Sequence, residues 1–100
     1  MKIEFFPAPT VPKTLQEFAD LHGLTMECHE RRAGDWFAHF KDAAIVDGPF
    51  DVGAYGNGDD THSAMSAYAK RIAGQTLRVG PRTYFVPDGI YYDTTAPCTN

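Results

Sequence analysis

Two kinds of hydrophobic spacing alternate along this chain. Leu15, Phe18, Ala19 and His22 recur at three- and four-residue intervals, the spacing of one helical face. Thr14-Leu-Gln-Glu17 in front of them is a capping box: the Thr14 hydroxyl accepts from the Glu17 N–H, and the Glu17 carboxylate reaches back. Gly23 supplies a stop, so the spacing predicts a helix over Leu15–His22. Leu24, Met26 and Cys28 then alternate with Thr25, Glu27 and His29, and Trp36, Ala38 and Phe40 alternate with Phe37, His39 and Lys41. That is the period of half-buried strands, with Ala33-Gly34-Asp35 as the loop between them. Setting Arg32 opposite Trp36 places Cys28 opposite Phe40, Met26 opposite Asp42 and His29 opposite His39. Both apolar sets then share one face, which a slip by a single residue would destroy.

Ala43–Val46 and Val52–Tyr55 carry further strand signal around the turn Asp47-Gly-Pro-Phe50, and Gly56-Asn57-Gly58 reads as the end of the sheet. One of Asp59, Asp60 and Thr61 caps a second helix, with Ala64, Met65, Tyr68, Ala69 and Ile72 on one stripe and Gly74 closing it. Thr76–Val79 follows, then a Tyr84–Val86 strand paired with Ile90–Tyr92 across Pro87-Asp88-Gly89. Lys2–Phe6 has strand character, and PAPTVP after it is a rigid connector. The expected fold is α+β: a three-stranded antiparallel sheet, two helices on one face, and edge strands from the termini. The whole of 1–100 is expected to be one domain: strand and connector over 1–13, an α-β-β-β-α unit over 14–74, strand and hairpin over 75–93, and a frayed tail over 94–100.

Composition narrows the function. With 43% hydrophobic and 13% aromatic residues, 100 residues fill a core without staples. The net charge of −4 disfavours general affinity for nucleic acid or membrane surfaces. No lysine or arginine stands between Lys41 and Lys70, whereas Asp42, Asp47, Asp51, Asp59 and Asp60 all do, so one side is expected to be acidic. No run reaches the roughly 20 apolar residues of a membrane span, and Met1–Phe6 is too short and too charged for a secretory signal. Cys28 and Cys98 are therefore expected as free thiols in a cytoplasmic protein.

The stretch from Thr14 to Gly74 resembles the double-stranded RNA-binding domain in element order. TLQEFADLHGLTMECHERR is similar to that family's first helix and strand, and VGAYGNGDDTHSAMSAYAKRIAG to its third strand and last helix. The resemblance implies phosphate contacts from the first helix, a Gly-Pro-x-His loop and a lysine-rich start to the last helix. Here the loop is Arg31-Arg-Ala-Gly-Asp35 and the helix opens Gly58-Asp-Asp-Thr-His62, with carboxylates in place of lysines. MKIEFF, TLQEFADLHGLTM and GNGDDTHSAMSAYAKRIAGQTL also resemble, in size and style, the small acidic proteins of bacteriophages and prophages. Such proteins include inhibitors of host defence of the anti-CRISPR type, which bind protein or ribonucleoprotein surfaces without catalysing a reaction.

These readings give a non-catalytic binding protein of the bacterial cytoplasm, with Asp42, Asp47, Asp51, Asp59 and Asp60 meeting a basic groove on a host protein or ribonucleoprotein. The alternative is a nucleic-acid-binding module using Arg31, Arg32, Lys70 and Arg71. No catalytic residue, cofactor or membrane contact is expected, and exposed edge strands make a homodimer conceivable. Gly53–Gly58 lacks the Gly-Lys-Ser/Thr of a phosphate loop, Cys28 belongs to the buried set, and adjacent His62 and Ser63 diverge on a helix. His29 and His39 share the face away from the helices; Glu27 or Glu30 would have to complete a metal site, and exposed sheet histidines are ordinary, so no metal is expected.

Overall fold

The computed structural model describes residues 11–93; the N-terminal strand expected at Lys2–Phe6, the tail after Asp93 and Cys98 lie outside them. The order is α1 (Leu15–His22), β1 (Met26–Arg32), β2 (Asp35–Phe40), β3 (Ala43–Asp47), β4 (Phe50–Val52), β5 (Gly56–Gly58), α2 (Thr61–Ile72), β6 (Thr76–Val79) and β7 (Arg82–Phe85). The fold is α+β with antiparallel sheets, and a three-stranded sheet β1-β2-β5 carries the helices. Phe40 stacks on Phe18 of α1 with centroids 5.9 Å apart and meets Tyr68 of α2 edge-on at 5.5 Å. Both helices therefore lie on the same face of that sheet.

The capping box at α1 forms as the sequence dictates. The Glu17 N–H donates to the Thr14 hydroxyl at 3.0 Å, Lys13 N–H donates to the Glu17 carboxylate at 3.3 Å, and Gly23 closes the helix at φ 67°. Thr14→Ala is expected to cost about 1 kcal/mol, read as a lower urea midpoint at unchanged slope.

Four expectations need correction. First, β3 does not join the helix-bearing sheet but a second one, ordered β4-β3-β6-β7. Ile45 pairs with Leu77, and these two buried residues join the two sheets in one core with Phe18, Phe40, Tyr68 and Val86. Second, Gly56–Gly58 does not end the sheet: it is the third strand, paired with Trp36–Ala38. Third, the terminal hairpin is β6–β7 around Gly80-Pro81, whereas Tyr91 bridges to Thr14, its carbonyl accepting from Leu15 N–H at 2.9 Å. Fourth, Cys28 is not a free thiol but is disulfide-bonded. Thiol pairing depends on distance in space, which residue spacing does not encode.

Tyr68 sits in the core with its phenol pushed up to about 12 by burial, against a backbone hydrogen bond at Phe40 that pulls the other way. A folded value above the unfolded one of about 10 stabilises fully below pH 10 and is lost as pH rises through 12. The difference amounts to about 2–3 kcal/mol. Urea melts at pH 9 and pH 12 are expected to differ by about that much more in the parent than in Tyr68→Phe.

Candidate functional site

The β1–β2 hairpin determines where each candidate side chain points. Met26 pairs with Phe40, Glu27 with His39, Cys28 with Ala38, His29 with Phe37 and Glu30 with Trp36, after which a bulge brings Arg32 opposite Asp35. The register differs by two residues from the expected one, because only Ala33 and Gly34 form the loop and the bulge absorbs Arg31. A shift of two preserves the faces. Met26, Cys28, Ala38 and Phe40 are all buried, as the alternation requires. His29 and His39 are diagonal neighbours rather than directly opposed, and Glu27 is the residue facing His39.

The face of this sheet turned away from the helices holds a compact group of rings. His29 and His39 lie 5.5 Å apart with planes at 22°, and Phe37 stacks against both, at 5.1 and 6.1 Å. Tyr55 meets Phe37 edge-on at 5.6 Å, and the Arg31 guanidinium lies 5.6 Å above the Phe37 ring. A Glu27 carboxylate oxygen approaches His29 Nε2 at 3.9 Å, and His39 Nδ1 lies 3.0 Å from the Phe40 carbonyl. A shallow cavity of about 300 Å³ lined by Phe37, His39, Ala43, Ala54 and Tyr55 adjoins the group.

The five aspartates occupy different local roles. Asp42 takes φ 60° in the turn between β2 and β3, a left-handed conformation that aspartate tolerates. Asp47 closes β3, and Asp51 on β4 is paired with Arg78 of β6, its carboxylate 2.9 Å from Arg78 Nε. Asp60 caps α2 by accepting from the Ser63 N–H at 2.8 Å. That bond, with smaller help from the Ser63 side chain and His62, holds its carboxyl below the usual carboxylate range. Asp59 precedes it, exposed. Gly58 pairs with Trp36, so the chain leaves the sheet beside the β1–β2 hairpin, and Asp59 and Asp60 sit at that end.

The basic candidates divide. Arg31 and Arg32 both approach the Asp35 carboxylate, at 3.3 and 3.8 Å. Lys70 and Arg71 stand in the last turn of α2, which runs from the hairpin end of the sheet back toward Phe40. The four cations therefore belong to opposite ends of the sheet. At the first turn of α2, His62 Nδ1 lies 2.6 Å from the Tyr92 hydroxyl, whose pKa is raised by burial first and by Asp93 and Asp60 after it.

Among the described residues no helix is long and apolar enough to cross a membrane. Neither a protein-family profile, nor a curated protein, nor a solved structure matches this chain.

Proposed function

We propose that this protein is a non-catalytic accessory protein of the phage or prophage type that occupies a basic, nucleic-acid-binding surface on a host protein or ribonucleoprotein. The observation that carries the reading is the start of α2. A helix N-terminus attracts anions through its free N–H groups and its dipole. Here Asp60 already fills that position with an ionised carboxylate, and exposed Asp59 stands next to it. A phosphate approaching this end meets negative charge, whereas a lysine- or arginine-lined groove meets its complement. Glu30 and Asp35 of the neighbouring hairpin add to that charge and exceed Arg31 and Arg32 together with Asp59 and Asp60. Asp51 drops out of the contact set because Arg78 neutralises it, and Asp42, in the turn after Phe40, stands at the end of β2 away from the hairpin, so Asp59 and Asp60 carry the proposed contact.

The test uses purified host nucleic-acid-binding ribonucleoproteins, guide-loaded defence nucleases first, titrated at moderate salt. The expected result is saturable binding that duplex nucleic acid competes away and that the Asp59→Lys variant loses by at least about tenfold, equivalent to about 1.4 kcal/mol. Asp60 is left intact because its loss would also uncap α2. Binding indifferent to charge reversal and competitor defeats the proposal. So does direct binding of duplex RNA with a steep salt slope, the outcome belonging to Arg31, Arg32, Lys70 and Arg71.

A further inference from the structure

We propose that Glu27, His29 and His39 form a binding site for a divalent transition-metal ion, Zn²⁺ by preference, on the face of the three-stranded sheet turned away from the helices. One ligand atom from each residue lies within 4.8 Å of the other two. Zinc bonds of about 2.0–2.2 Å place ligand atoms roughly 3–3.5 Å apart around one ion. Binding one ion therefore requires the outermost of these atoms to converge by up to roughly 1.3–1.8 Å. Strand periodicity puts Glu27 and His29 on one face of β1, and the register sets His39 directly across from Glu27. Glu30 falls on the other face, where its carboxylate accepts from the Gly34 N–H at 3.4 Å.

His39 is oriented for ligation. A carbonyl oxygen only accepts, so His39 Nδ1 carries the hydrogen in its 3.0 Å contact with Phe40, and the Nε2 lone pair is left for a metal. An imidazole oriented by a carbonyl in this way is the usual outer-shell arrangement of metal-binding histidine. Phe37, stacked against both rings, limits how far they swing. Two imidazoles and one carboxylate suit Zn²⁺, and also Cu²⁺ and Ni²⁺, rather than Mg²⁺ or Ca²⁺, which require oxygen donors. Three protein ligands leave a fourth position for water or a donor from a bound molecule, as in open zinc sites, and the cavity beside His39 offers room for one. This site does not involve the aspartates of the acidic end, so its test stands independently of theirs.

The experiment is calorimetric titration of tag-free, chelator-stripped protein with ZnCl₂ in a non-coordinating buffer, paired with Co²⁺ absorption spectra. The expected result is saturation at one ion per chain and a visible Co²⁺ band. Glu27→Gln, His29→Ala and His39→Ala are each expected to weaken uptake by at least about tenfold, the loss seen even for outer-shell partners. His62→Ala, in the first turn of α2, is expected to leave it unchanged. All of these side chains lie outside the core, so circular dichroism and melting temperature check that each variant is folded. Absence of saturable uptake overturns the proposal, as does uptake undiminished in the His29→Ala His39→Ala double variant.

Discussion

Gly56→Ala is expected to cost about 3 kcal/mol or more and to unseat α2 from the sheet. β5 runs directly beneath this helix, and a Cβ built at Gly56 collides with the Tyr68 backbone N and the Ala64 carbonyl oxygen and comes within 2.7 Å of Tyr68 Cα. Those are helix backbone atoms, which cannot rotate aside as a flexible side chain would. The helix must translate, and Ala64, Met65 and Tyr68, all buried against the sheet, move with it. Ordinary overpacking costs about 1–3 kcal/mol because side chains absorb the strain; here the rigid parts take it. Gly53→Ala provides the control, since nothing lies within 4 Å of its added Cβ, and a change within about 0.5 kcal/mol is expected there. Urea unfolding of the two variants decides the matter, and a Gly56→Ala midpoint equal to that of Gly53→Ala would refute the close approach.

The same glycine shows where reading the sequence stops. Gly56-Asn57-Gly58 carries every local mark of a turn, and its identity as a strand follows only from a helix arriving from later in the chain with no room for a side chain. Signals confined to a few residues were legible. The Thr14–Glu17 box, a cap within Asp59–Thr61 (Asp60 fills it) and the alternation of Met26, Cys28, Ala38 and Phe40 all stand where spacing puts them. Pairings between distant segments were not. Nothing near Ala43–Asp47 says that it leaves the helix-bearing sheet for Thr76–Val79, or that Asp51 meets Arg78. For the metal-binding group the parity of β1 and β2 was enough to gather His29, His39 and Glu27 on one face. Finding that Glu27, and not His29, opposes His39 needed the short loop and the bulge. Register errors of two residues leave faces intact and rearrange neighbours, which is why the surface was readable and its contacts were not.

Phe40→Ala is expected to cost about 3–5 kcal/mol, a large share of the roughly 5–15 kcal/mol that holds a domain of this size together. Phe40 is fully buried and ends β2, where it stacks on Phe18 and receives the edge of Tyr68. Its removal therefore loosens both helices at once, losing two aromatic contacts worth about 0.5–1.5 kcal/mol each in addition to the buried area. Because Phe18 and Phe40 touch, their losses are coupled: the Phe18→Ala Phe40→Ala pair is expected to depart from the sum of the single variants by more than about 0.5 kcal/mol. Phe50→Ala, at a ring 70% exposed on β4, is expected to change stability by less than about 1 kcal/mol. Equal urea midpoints for Phe40→Ala and Phe50→Ala would contradict the shared core. Phe40→Leu separates packing from the surface function, because the side chains of Phe40 and His39 leave β2 on opposite faces while the Phe40 carbonyl that orients His39 is backbone. A leucine that keeps the fold should keep zinc uptake undiminished even as the stability falls.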